Sequence, residues 1–160
     1  METEKLKFKI GLSGTSPDKQ PHFLIDIDGK NQIKAALTKA PNETEYFEFE
    51  IELDEGNHCL DIRFTNKISG DTVLDEKGHF LSDLLLNIDS IEIDEIDLGT
   101  LKWTLSEYRP QYHPNYVNEY VKSKGKEPEE IVKNCVNMGW NGTWTLPFQS
   151  PFYIWLLENL

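Results

Sequence analysis

Gly56-Asn57-His58-Cys59-Leu60-Asp61-Ile62-Arg63-Phe64-Thr65-Asn66 and, twenty residues on, Leu86-Asn87-Ile88-Asp89-Ser90-Ile91-Glu92-Ile93-Asp94 are the segments whose reading decides the fold. In the first, His58, Leu60, Ile62 and Phe64 share one face, opposite Cys59, Asp61, Arg63 and Thr65. That period of two marks a half-buried β-strand. In the second, Leu84, Leu86 and Ile88 keep one parity while Ile91 and Ile93 take the other. A bulge or bend near Asp89-Ser90 explains the slip, because one extra residue reverses every following side chain. The loop between them is rich in Asp and Gly.

Working outward, the alternation repeats. Leu6, Phe8, Ile10 and Leu12 form one apolar face, and Phe23, Ile25 and Ile27 another. Asp28-Gly29 is a hairpin signal, since both positions of a tight primed turn need positive φ. Phe47, Phe49, Ile51 and Leu53 alternate with Glu48, Glu50 and Glu52, giving one apolar and one acidic face. Short strands, frequent turns and no alternating helices predict a mainly β protein, an antiparallel β-sandwich of jelly-roll type, over residues 1–105.

Residues 106–160 read as a short helical, aromatic-rich C-terminal extension. All four tryptophans and five of the six tyrosines lie beyond residue 100. A helix is expected over 115–122, and a second from Pro128, with Ile131, Val132, Cys135 and Val136 as its apolar stripe and Gly139 as its C-cap. The tail carries Trp140, Trp144, Phe148, Phe152, Trp155 and Leu157. So apolar a segment must wrap the sandwich or pack on a neighbouring subunit, and these six residues are the expected interface.

The chain of 160 residues has a net charge of −12. Residues 1–100 hold 10 Lys and Arg against 22 Asp and Glu, whereas residues 101–160 hold 6 of each. An acidic sandwich disfavours nucleic acid and anionic membranes as partners and suits cations, neutral sugars or basic proteins. No apolar run approaches a membrane span, and residues 1–5 do not resemble a signal peptide. Synthesis in a cytoplasm follows as an expectation, with Cys59 and Cys135 as free thiols. No nucleophile elbow, phosphate loop or His-Glu-x-x-His motif is present, so no enzyme is predicted. His58 shares its face with Leu60 and Ile62, which suits a core or turn-bonded histidine better than a metal ligand.

Gly56, His58, Leu60, Ile62, Phe64 and Asn66, followed by Leu86-Asn87-Ile88-Asp89-Ser90-Ile91, resemble the calcium-dependent xylan-binding type of carbohydrate-binding module. Those modules have Gly-x-His before a strand ending in Phe-x-Asn, then Leu-Tyr-Val-Asp-Ser-Ile. The resemblance implies a sandwich, a glycan partner held by the 66–83 loop, and calcium as a cofactor. In the family Asn-Asp follows the first strand at the metal; here Lys67 follows Asn66. The oxygens left for calcium are those of Asn66, Asp71, Asp75 and Asp83. A second set of segments is similar to small structural proteins of tailed phages: Asp71-Thr72-Val73-Leu74-Asp75-Glu76-Lys77-Gly78, then Tyr108-Arg109-Pro110-Gln111-Tyr112, then Asn141-Gly142-Thr143-Trp144 with Pro151 and Trp155. This resemblance implies a non-enzymatic virion component, a capsid decoration or a tail or baseplate accessory, located in the particle and bound to other virion proteins or to itself. The alternative is a carbohydrate-binding module, with or without calcium.

Overall fold

The computed structural model describes residues 2–160. Its strands are β1 (Thr3–Gly14), β2 (His22–Ile27), β3 (Lys30–Ala36), β4 (Glu45–Asp54), β5 (Gly56–Phe64), β6 (Val73–Leu74), β7 (Phe80–Ser82), β8 (Leu86–Ile93), β9 (Ile96–Asp97), β10 (Glu107–Pro110), β11 (Val132–Lys133), β12 (Asn137–Met138) and β13 (Gly142–Ser150). The helices are α1 (Leu101–Thr104), α2 (Pro114–Lys124) and α3 (Phe152–Asn159). One sheet runs β12-β8-β1-β4 with β9 beside β8, and the other runs β11-β10-β13-β5-β2-β3. The pairings within these two sheets are antiparallel.

The alternating patterns place the core. Leu6, Phe8, Ile10 and Leu12 from one sheet meet Phe23, Ile25, Leu60, Ile62 and Phe64 from the other, all nearly or fully excluded from solvent. Phe8 stacks on Phe49 at 4.9 Å and meets Phe148 edge-on at 5.7 Å, tying the layers together. The acidic face of β4 lies beside the basic face of β1: Lys5, which faces Glu52 in the register, reaches diagonally to Glu50 at 3.1 Å. Asp28 and Gly29 take φ of 51° and 79°, as the predicted hairpin turn requires. The register of β1 against β8 slips where Gly11 faces Ser90 and Leu12 faces Ile88, which leaves Asp89 as the extra residue of a bulge. This is the phase change read from the sequence.

The last third differs from the extension expected over 106–160. β13 pairs with β5 through nine residue pairs and with β10 on its other side, so it is an interior strand of the sandwich. Trp144, Leu146 and Phe148 are 0–1 % exposed and belong to the central core. The second expected helix is absent: Val132 and Lys133 form an edge strand, Asn134 turns with φ of 55°, and Asn137–Met138 pairs with β8. The same apolar spacing fits a strand, a turn and a strand. Gly139 is consequently no helix cap; Gly125, with φ of 73°, closes α2, the helix expected over 115–122. α3 packs back on the core through Phe152, Trp155 and Leu156. Its first turn is capped from the other end of the chain: the Glu4 carboxylate accepts from the Phe152 N–H at 2.7 Å and the Ser150 hydroxyl at 2.6 Å.

Candidate functional site

Three segments meet at one end of the sandwich: the 66–83 loop, the 107–130 segment and residues 139–142. Asn66 closes β5 by accepting from the His22 N–H at 2.8 Å and donating to the Gln20 carbonyl at 3.0 Å. Asn141 does the same for the next turn, accepting from the Lys67 N–H at 2.8 Å and donating to the Lys67 carbonyl at 2.9 Å. The two asparagines fix the backbone on either side of Lys67.

Lys67 then turns inward. Its side chain is 2 % exposed. Its ammonium donates to Asp83 Oδ1 at 2.7 Å and to the Gly139 carbonyl at 2.5 Å, and lies 5.0 Å from the centre of the Trp140 ring. A buried ammonium is tolerated when a carboxylate and further acceptors surround it. Asp83 also accepts from the Thr72 hydroxyl and the Leu84 N–H, both at 2.8 Å. The whole loop is knitted this way.

The four residues expected as calcium ligands are not brought together. Asn66 holds backbone, Asp71 pairs with Lys19 at 2.8 Å, Asp75 accepts from the Lys77 and His79 N–H groups at 2.8 Å, and Asp83 is paired with Lys67. Among the described residues no three His, Cys, Asp or Glu side chains form a metal-binding group. The oxygens present do not fit a calcium shell, which needs six to eight converging oxygens rather than carboxylates engaged one by one by cations and amides.

Of the six expected interface residues, the structure uses four inside this chain. Trp144, Phe148, Phe152 and Trp155 are 0–6 % exposed, because β13 and α3 close the core. Trp144 Nε1 donates to the Cys135 carbonyl at 2.9 Å, which satisfies its polar edge. Leu157 is 72 % exposed and Trp140 is half-buried.

Trp140 is where the site gains chemistry. The Tyr108 hydroxyl donates to the Trp140 carbonyl and accepts from its N–H, so a buried phenol fixes that backbone. Burial pushes the Tyr108 phenol far up, and it stays protonated as a donor. The Trp140 ring lies 5.2 Å from Tyr116 and 6.4 Å from Tyr112, while Tyr112 and Tyr116 stack at 5.4 Å with planes 23° apart. Tyr116 stands on α2, which starts with Pro114 and is capped by the His113 ring accepting from the Asn115 N–H at 3.1 Å. The Tyr112 hydroxyl donates to the Glu129 carbonyl at 2.9 Å, holding the 127–130 segment alongside. Tyr112 also walls a groove of about 200 Å³ with Pro110, Val117, Glu127, Pro128 and Glu130. The result is an aromatic platform, open to solvent at Tyr116, beside a cleft edged by two carboxylates. The spacing Tyr-x-Pro-x-Tyr was visible in the sequence, but its convergence on Trp140 comes from strand pairing.

His58 is structural. Nδ1 lies 2.6 Å from Asp28 and Nε2 lies 2.6 Å from the Asp54 carbonyl. Both partners are acceptors, so the ring is best satisfied doubly protonated. Burial lowers its pKa, and the two hydrogen bonds with the nearby Asp28 and Asp54 charges outweigh that, leaving it above the ordinary histidine value. Cys59 points to the opposite face, and burial with the Asp61 and Asp28 charges pushes its thiol up. Neither group is arranged as a nucleophile and base.

No protein-family model and no curated protein matches the chain. Solved structures do. It is similar to vCBM60 in complex with galactobiose, with 13 % identity, a TM-score of 0.50, and coverage of 88 % of this chain and 96 % of that one. It is likewise similar to the selenomethionine form of vCBM60, reported with a circular permutation linking two families of calcium-dependent carbohydrate binding modules, with 13 % identity, a TM-score of 0.51, and coverage of 88 % and 89 %. At this identity the likeness is one of fold. The architecture they share is an antiparallel β-sandwich.

Proposed function

We propose that this chain is a non-catalytic glycan-binding module whose site is the Tyr112–Tyr116–Trp140 platform and the groove beside it. The observation that carries the reading is the half-open aromatic cluster on a sandwich of carbohydrate-binding type. A sugar ring has an apolar C–H face and a rim of hydroxyls. The rings of Tyr116 and Trp140 suit the face, and the carboxylates of Glu127 and Glu130 suit the rim as acceptors. A net charge of −12 favours neutral rather than anionic glycans. The solved relative in complex with galactobiose supports a neutral oligosaccharide as the ligand class.

The test is a screen of neutral oligosaccharides followed by titration of Tyr116→Ala. Tyr116 is 37 % exposed on a surface helix, so its removal leaves the core intact. Loss of one stacking face is expected to weaken binding about tenfold, corresponding to about 1.4 kcal/mol. A screen with no binder, or a variant that binds as the wild type does, sinks the proposal.

A second reading, as a subunit of a tailed-phage particle, draws support from α3. Tyr153, Ile154, Leu157 and Leu160 are 51–84 % exposed at the C-terminus. Contiguous exposed apolar side chains suit a protein contact. Recovery of this chain in purified particles at a fixed copy number would support that location, and its absence from them would remove it.

A further inference from the structure

We propose that the Lys67 ammonium is the built-in cation that ties the 66–83 loop to residues 139–140, so that the loop neither needs nor admits a divalent metal ion. The inference goes beyond glycan binding and does not depend on it.

The argument starts from the surroundings of the nitrogen. A carboxylate oxygen of Asp83 at 2.7 Å and the Gly139 carbonyl at 2.5 Å face it, and the Trp140 ring covers it at 5.0 Å. Carboxylate and carbonyl oxygens converging on one buried positive centre are what a hard cation takes from a protein. Here the centre is covalently part of the chain. Its contacts join three segments remote in sequence: residue 67, residue 83, and residues 139–140. A metal at this point would do the same, but it would have to be collected from solution, and its affinity would depend on free metal concentration.

The ammonium also excludes the metal. A divalent ion within reach of Asp83 would stand beside a fixed positive charge held at 2 % exposure. Like charges at such separations in a poorly solvated site repel strongly. Asp71 is matched by a second lysine, Lys19, at 2.8 Å, and Asp75 lies 3.4 Å from the His79 ring. Two of the loop's carboxylates, Asp71 and Asp83, thus meet lysines of this chain.

The experiment is thermal unfolding of the full chain, read without glycan, in chelator and in millimolar calcium. The melting temperature is expected to be the same in both. A fall in chelator, or a rise with calcium, would overturn the proposal. Lys67→Met keeps the length of the side chain and removes the charge, leaving the Asp83 carboxylate without its cation; a fall of about 10 °C is expected. A Met variant as stable as the wild type would also overturn it. If that variant does not accumulate as folded protein, the wild-type metal comparison decides alone. Failure to bind any glycan leaves these readouts unchanged, so the two proposals fail separately.

Discussion

Replacing Gly142 with alanine tests the strand arrangement that builds the site. Gly142 opens β13 with φ of 154°, opposite Pro110 in β10 and Phe64 in β5. A Cβ there would stand 2.3 Å from the Arg109 carbonyl oxygen and 2.9 Å from Pro110 Cα. Both are backbone atoms, so no side chain can swing aside. A carbon–oxygen contact is comfortable beyond about 3.3 Å, so the strands must part by about 1 Å. That opening takes a hydrogen bond of normal length out of bonding range. Loss of one or two ladder bonds costs about 1–2 kcal/mol, and the unfavourable φ adds about 1–3 kcal/mol. The expected destabilisation is about 2–5 kcal/mol. Gly56→Ala supplies the control. Gly56 sits at the other end of the β5–β13 pair, with φ of 131° and nothing within 4 Å of an added Cβ. It should show the φ cost alone. Equilibrium urea unfolding followed by tryptophan fluorescence measures both variants. If Gly142→Ala loses no more than Gly56→Ala, the close approach of β10 to β13 is wrong, and with it the placement of Tyr108 under Trp140.

Two further outcomes follow from the core and from His58. Removal of residues 140–160 deletes β13 and α3, and with them Trp144, Leu146, Phe148, Phe152 and Trp155 from the core. At about 1.5–3 kcal/mol per buried side chain, the loss matches or exceeds the whole stability of a typical domain. The truncated chain should show no cooperative melt by circular dichroism, and a sharp transition would contradict the reading of β13 as an interior strand. His58 has a folded pKa raised above its unfolded value of about 6.5. Its contribution is therefore complete below the unfolded pKa and lost as pH rises through the folded one. The stability gap between the wild type and His58→Gln should narrow as pH rises above the ordinary histidine value of about 6.5; a gap that stays flat or widens would show that the ring is not held as a cation.

Much of the sandwich could be read directly. β4 alternates Phe and Ile with Glu, β2 and β3 meet at Asp28-Gly29, and the change of parity after Ile88 marks a bulge or bend near Asp89-Ser90, which the register places at Asp89. Each signal is local, confined to a strand or to two neighbours. The aromatic platform was only half legible. Tyr108, Pro110 and Tyr112 formed a visible motif, as did the tryptophan-rich tail, yet nothing local assigned Trp140 to the platform and Trp144 to the core. The calcium set Asn66, Asp71, Asp75 and Asp83 shows the opposite error: residues close in sequence that the fold deals out to separate partners.

The alternation of apolar and charged residues in this chain determined strands, turns and a two-layer sandwich, because a strand with a period of two must bury one face. Lys67 beside Asn66 was already a sign that the loop differs from a metal-binding one. Tertiary structure alone decided that β13 lies between β5 and β10, that Pro128 begins no helix, and that the Lys67 ammonium meets Asp83 and Gly139 under Trp140. Lys67 lies 16 positions from Asp83 and 72 from Gly139, and β5 is separated from β13 by a long stretch of chain. Pairing at such separations is chosen by the burial of the whole core, to which no single segment holds the key.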